Sequence, residues 1–231
     1  MTRFAFGALF ILLALCASAR EPVSLRLMTY NIRLDIASDG PNAWPHRRDW
    51  VVAQVEWLHP DLFGMQEVLP NQKADLVARL PRYRLFGEGR DGGGKGGATP
   101  IGFDPRRFDF IEGGTYWLSP TPDVPSKGWD AAYKRVATWV RLGVRGTKQR
   151  VLAMSTHWDN EGAVARHEAA LQIAKWLEAN RKPCERVLVF GDFNTGGDTE
   201  PVQALRKAAA LRDARGISKT PPFGTAATFN G

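Results

Sequence analysis

Arg186-Val187-Leu188-Val189-Phe190-Gly191-Asp192-Phe193-Asn194 is the stretch on which the reading of this chain turns. From Val187 to Phe190 the run is unbroken apolar, as a strand covered on both faces requires. It then opens onto a carboxylate and an amide, groups that an apolar core does not hold without partners. Three other strand candidates end in the same way. Leu25 to Asn31 alternates apolar and polar residues and closes on Thr29-Tyr30-Asn31; Asp61 to Val68 reads as a buried strand ending near Gln66-Glu67; Arg150 to Thr156 leads into His157. Reactive groups collect at strand ends because the strand is rigid while the loop after it gives access.

Between these strands the pattern is helical or glycine-rich. Pro45 opens a helix with Val51, Val55 and Leu58 on one face, and Pro60 follows its end. Asn71 to Leu80 reads as a short helix with Ala74, Val77 and Leu80 at helical spacing. Gly162 to Asn180 is the clearest helix, with Ala170, Ile173, Ala174 and Leu177 as its apolar stripe. Asp198 or Thr199 caps a last helix that has Pro201 in its first turn. Further strands are expected at Pro100–Phe103, Gly114–Leu118 and Ala137–Arg145, a flexible loop at Gly87–Gly97, and loop or edge strand from Leu211 to Gly231. Strands and helices interleave without a regular βαβ beat, and several strand pairs read as hairpins. The fold class is therefore α/β with mixed sheets. No GxGxxG follows the first strand and no GxxxxGK[ST] occurs, so nucleotide-dependent transfer has no support in the sequence.

Composition narrows the class further. The chain has 231 residues, 44% hydrophobic and 24% charged, which suits a globular domain and excludes collagen, coiled coil or a disordered tail. A formal charge of +7 favours anionic partners such as phosphates, and equally serves solubility. The basic residues are scattered rather than striped, so nothing marks a nucleic-acid groove. Arg3, an apolar run from Phe4 to Leu15 and small residues at Ala17 and Ala19 have the form of a leader cut after Ala19. The expected product is a secreted or periplasmic monomer spanning residues 20–231, with no membrane span. Removal of the leader would take Cys16 and leave Cys184 as its one cysteine.

Taken singly, each polar strand-end residue has a bland explanation. Asn31 suits a turn, Glu67 a solvated strand end, Asp192 a turn or cap, and His157 a buried ring holding a carbonyl. Taken together they supply carboxylates for a hard cation and a base, two amides and an imidazole. That set suits Mg²⁺-assisted attack of water on a phosphoester.

Met28-Thr29-Tyr30-Asn31-Ile32-Arg33, Gln66-Glu67, Ser155-Thr156-His157-Trp158-Asp159 and Gly191-Asp192-Phe193-Asn194 resemble, in order, four motifs of the endonuclease/exonuclease/phosphatase superfamily. Trp117-Leu118-Ser119-Pro120, Gly128-Trp129-Asp130-Ala131 and Arg135 further resemble a bacterial secreted branch of it. Hydrophobic packing and ligand contact remain equal readings for Trp117 and Trp129. The resemblance implies a four-layer α/β/β/α sandwich with one divalent cation, Mg²⁺ or Mn²⁺, near its mouth. It implies Glu67 as a metal ligand and Asn31 beside the metal. Asp192 would orient or deprotonate water, Asn194 would position the phosphate and Asp192, His157 would donate to a phosphate oxygen, and Arg135 would add charge to the pocket. The implied reaction is metal-dependent phosphoester hydrolysis of phosphodiesterase, phosphatase or nuclease type, with nucleic acid, phospholipid headgroups and phosphosugars as substrate classes. The family's closing serine-aspartate-histidine motif and its last strands are not among the 231 residues, which end just after Gly224-Thr225-Ala226-Ala227-Thr228-Phe229-Asn230. The sequence therefore reads as a C-terminally incomplete domain. The alternative function is a catalytically impaired fragment or an anion-binding homologue without turnover.

Overall fold

In the computed structural model, which describes residues 23–221, two four-stranded mixed sheets pack face to face with helices outside. The expected leader at 1–19 and the Gly224–Asn230 stretch lie outside the described residues. One sheet holds β1 (Leu27–Asn31), β2 (Leu62–Gln66), β3 (Arg84–Phe86) and β4 (Ile101–Phe103), in the order β1-β2-β4-β3. The other holds β5 (Phe108–Trp117), β6 (Val136–Val144), β7 (Arg150–His157) and β8 (Glu185–Asp192) side by side in chain order.

Period-two alternation sorts the side chains into three cores. On β2, Leu62 faces the opposite sheet together with Ile101 and Phe103 of β4 and Val140, Leu142, Val151 and Ala153 of β6 and β7. The intervening Phe63 and Met65 point outward to α1 (Trp44–Leu58) and α2 (Pro70–Arg79), meeting Val51, Val55 and Leu76. Leu152 and Met154 of β7 point the other way, to α3 (Ala163–Asn180) and α4 (Glu200–Ala208). Ala170, Ile173, Ala174 and Leu177 form the buried face of α3, as their spacing predicts. Each large side chain buried in these layers contributes about 1.5–3 kcal/mol of transfer free energy.

Gly64 sets how closely the two sheets approach. A Cβ there would lie 2.8 Å from Ser155 Oγ and 2.9 Å from Phe190 Cβ, so only glycine fits between β2 and the β7–β8 pair. The close approach lies one turn of pleat below Gln66-Glu67 and thus draws the ends of the two sheets together.

Four local expectations change. The buried face of α2 is Gln72 and Leu76 rather than the Ala74–Val77 row, and Val77 is 51% exposed. The cause is a polar anchor that no hydrophobic period encodes: Gln72 accepts from Leu69 N at 3.0 Å and donates to the Arg33 carbonyl at 2.8 Å. β3 has only three residues, too few to alternate, and β5 begins at Phe108 rather than Gly114 because a bulge between Phe110 and Glu112 breaks its period. The Gly87–Gly97 segment is a pinned hairpin, not a loose loop: Arg90 N donates to Gly97 O at 3.2 Å and Asp91 N to Lys95 O at 3.0 Å. The strand read as covered on both faces, β8, stands at the edge of its sheet among the described residues, and Val187, Leu188 and Val189 are only partly buried.

Candidate active site

Each sheet contains one parallel pair, β1–β2 and β7–β8, and parallel neighbours finish at the same edge. Asn31 is in register with Gln66, and His157 with Asp192. The four strands identified from sequence therefore deliver their terminal polar residues to one place. Asn31 Nδ2 donates at 2.9 Å to Glu67 Oε1 and at 2.9 Å to Asp192 Oδ2, joining the two sheets through a single amide. Asn194 N donates to Asp192 Oδ1 at 3.0 Å, and Asn194 Nδ2 lies 2.8 Å from the Trp158 carbonyl and 3.0 Å from His157 Nε2. Asn31, Glu67, His157, Asp192 and Asn194 are thus brought together as the sequence predicts. Glu67 (φ 64°) and Asn194 (φ 49°) both occupy the left-handed region, uncommon for side-chain-bearing residues and concentrated at functional sites.

The sequence reading missed the groups that hold this cluster. Arg47, on α1, donates to the carbonyls of Ile32, of Arg33 at 2.7 Å and of Leu34 at 3.0 Å. It fixes the turn after β1 so that Leu34 N can donate to Glu67 Oε2 at 2.9 Å and Arg33 N to Asn31 Oδ1 at 2.9 Å. An arginine in a helix gives no sign in sequence that it will fasten a distant loop. Asp159, quoted with its motif but given no role, accepts from the backbone of Ala132 (3.0 Å), Tyr133 (3.2 Å), Glu161 (3.1 Å) and Gly162 (2.8 Å). It also pairs with Arg135 Nε at 3.1 Å. Burial alone would raise its carboxyl; the surrounding N–H donors and Arg135 outweigh that and hold it well below the usual carboxylate range. Asp130, in the Gly-Trp-Asp motif, caps α3 by accepting from Val164 N and Ala165 N. Trp129 stays partly exposed and Trp117 is buried, its indole donating to the Arg90 carbonyl at 2.7 Å.

Arg135 is 6% exposed, so it is no ordinary surface arginine. Its Nη2 donates to Asn160 Oδ1 at 2.7 Å, and it borders a cavity also lined by Glu67, Thr99 and His157.

His157 is neutral at pH 7. Burial is the main cause, reinforced by Arg135 and only partly offset by Asp192 and Glu67, and its pKa falls to about 4. Because Trp158 O can only accept, the group facing it is the amide NH₂ of Asn194, whose second hydrogen points at Nε2. Nε2 therefore accepts and Nδ1 carries the ring proton. A buried histidine with a lowered pKa stabilises the fold fully above its unfolded value near 6.5, and that contribution is lost as pH falls toward 4. We expect metal-free protein to lose on the order of 3 kcal/mol of unfolding free energy from this group between pH 7 and 4. Urea titrations across that range, repeated on His157→Gln, should give a clearly shallower pH dependence in the variant; equal slopes would exclude the assignment.

The donor set also bears on a cation. Glu67 and Asp192 place carboxylate oxygens within two hydrogen-bond lengths of each other, bridged only by a neutral amide, while Arg135 is engaged by Asp159. Such a pair favours a positive charge nearby. Among the described residues no three His, Cys, Asp or Glu side chains close on one point, so a thiolate- or imidazole-rich cage is not formed. An open oxygen site that supplies one or two carboxylates and leaves room for water is what Mg²⁺ takes. The residues fit that kind of ion.

Comparison with known proteins agrees with this arrangement. The Endonuclease/Exonuclease/phosphatase family model matches residues 28–231. The structure of a mannosyl-6-phosphatase from Bacteroides thetaiotaomicron VPI-5482 is 34% identical, with a TM-score of 0.76 over 80% of this chain and 70% of its own. A family protein from Bacteroides vulgatus is 35% identical, with a TM-score of 0.75 over 79% of this chain and 70% of its own. The uncharacterized protein L388 of Acanthamoeba polyphaga mimivirus is 24% identical over 160 residues, which make up 66% of this chain but only 59% of that protein. With two mixed sheets, motifs in family order and a match over most of its length, the chain belongs to the endonuclease/exonuclease/phosphatase family.

Proposed function

We propose that this protein hydrolyses phosphoesters with the help of a divalent cation, Mg²⁺ or Mn²⁺. The observation that carries the reading is the meeting of Asn31, Glu67, His157, Asp192 and Asn194, drawn from four strand ends, in one hydrogen-bonded cluster beside a cavity. Glu67 would hold the ion, with Asn31 beside it. When bound, the ion supplies charge neutralisation at the phosphoryl oxygens. Asp192 Oδ2 accepts the proton of the attacking water, while Asn31 and the Asn194 backbone keep that carboxylate oriented. The Nδ1–H of neutral His157 is a donor for a phosphoryl oxygen, and Asn194 holds the ring. The mannosyl-6-phosphatase resemblance makes mannose 6-phosphate the first natural substrate to try. The leader-like N-terminus supports a reaction outside the cytoplasm. Among the described residues no helix is long and apolar enough to cross a membrane.

The test is release of nitrophenol from p-nitrophenyl phosphate and bis-p-nitrophenyl phosphate, and of phosphate from mannose 6-phosphate. Turnover with Mg²⁺ or Mn²⁺, stopped by EDTA and restored by excess cation, is the expected result. No cleavage of any of the three with either cation overturns the reading.

A further inference from the structure

The cavity beside Glu67 and His157 has a second wall that the hydrolytic cluster does not use. Arg90 and Lys134 line it together with Arg135, so three cationic residues face one small space. Two of them are already engaged. Arg135 is paired with Asp159, and Lys134 Nζ lies 3.3 Å from Asp91 Oδ1. Arg90 is different: among the described residues no carboxylate pairs with its guanidinium, which instead lies over the Tyr133 ring at 4.9 Å.

Arg90 is also held in place to an unusual degree for a residue in a glycine-rich segment. Its amide donates to Gly97 O at 3.2 Å, and its carbonyl accepts the buried Trp117 indole at 2.7 Å, fastening the hairpin to β5. Packing against Tyr133 limits the side chain's rotamers. A held guanidinium that has no hydrogen-bond partner among the described residues, on a residue lining the cavity, can offer a two-pronged contact to a group with at least two charged oxygens.

We propose that Arg90 makes this a phosphomonoester site, reading the second negative charge that a terminal phosphate carries and a diester lacks. The proposal rests on the phosphoester reading above, and it assigns Trp117 and Tyr133 as positioning residues for Arg90. A monoester is close to a dianion at neutral pH, whereas a diester remains a monoanion. Adding an ester group removes the oxygen charge that Arg90 would bind and leaves the rest of the molecule unchanged.

The experiment separates this inference from turnover. In Asp192→Asn protein with Mg²⁺ present, calorimetry compares phenyl phosphate with methyl phenyl phosphate, which share the ring and differ by one charge. Phenyl phosphate should bind about ten-fold more tightly, the worth of one hydrogen bond between charged groups. Adding Arg90→Gln should bring the two affinities to within about two-fold by weakening the monoester alone. Circular dichroism checks that the double variant is folded. Equal affinities in the single variant, or a preference that survives Arg90→Gln, overturn the proposal. Binding as expected in a wild-type chain that cleaves no ester would remove the hydrolytic reading and leave this one standing.

Discussion

Replacing Asp192 with asparagine is expected to remove the proposed phosphoester hydrolysis while the fold stays intact. The substitution is nearly isosteric: it retains an oxygen that can accept from Asn194 N, the contact made at 3.0 Å by Oδ1, and leaves the parallel pairing of β8 with β7 untouched. What it loses is a carboxylate at Oδ2, the atom that Asn31 Nδ2 orients from 2.9 Å. A positioned general base is worth about 10²–10⁴ in rate. We therefore expect kcat to fall by about 10³-fold or more with little change in melting temperature. Glu67→Gln should behave differently. With Glu67 as the proposed metal ligand, the substitution should weaken the hold on the cation, so part of its deficit should be recovered at high Mg²⁺, whereas that of Asp192→Asn should not. Asp192→Asn protein retaining more than a tenth of wild-type kcat would exclude the assigned role.

The second large effect is on stability. Asp159→Ala removes five hydrogen-bond acceptor contacts at once, four from backbone N–H groups and one from Arg135. Arg135 is 6% exposed and would be left as a buried charge without its partner. Breaking a buried pair from one side costs about 3–5 kcal/mol, because the remaining charge cannot return to water. Unpaired buried amides add to that. Arg135→Met should cost much less, since Asp159 keeps its four backbone donors and the methionine fills similar volume. Urea denaturation of both variants measures the asymmetry, and an Arg135→Met loss equal to that of Asp159→Ala would refute it. The same carboxyl makes a pH signature. Its folded pKa lies below its unfolded value near 3.9, so its contribution is complete above that pH and is lost as acid is added below it.

Much of this arrangement was legible because the strand ends carry chemistry. Asn31, Glu67, His157, Asp192 and Asn194 each stand at or just past the end of a strand, and polar groups in that position must either find partners or face solvent. The α3 stripe was legible for a similar reason, as four buried small and aliphatic residues repeat with the helical period. The misses share a cause of another kind. Gln72 faces inward because two backbone groups from other segments meet it, and Arg47 secures three carbonyls after β1. Such contacts depend on which segments become neighbours, which local periodicity does not carry. The Gly87–Gly97 segment shows the same limit, since glycine content predicts freedom while Trp117, far along the chain, removes it.

The two parallel pairs have a practical consequence. Since β7 and β8 both run toward the pocket, their opposite ends, at Arg150 and Glu185, lie a full strand length away. The turn at Arg145–Gln149 and the connection at Arg181–Cys184 join the sandwich at that remote edge, and none of the site residues comes from them. Gly146 there is kept as glycine by its φ of 73°, while Lys148 beside it is exposed. A biotin tag or a bead linkage introduced at this turn would present the pocket to bulk solution, so the protein can be immobilised as a sensor surface without approaching its chemistry.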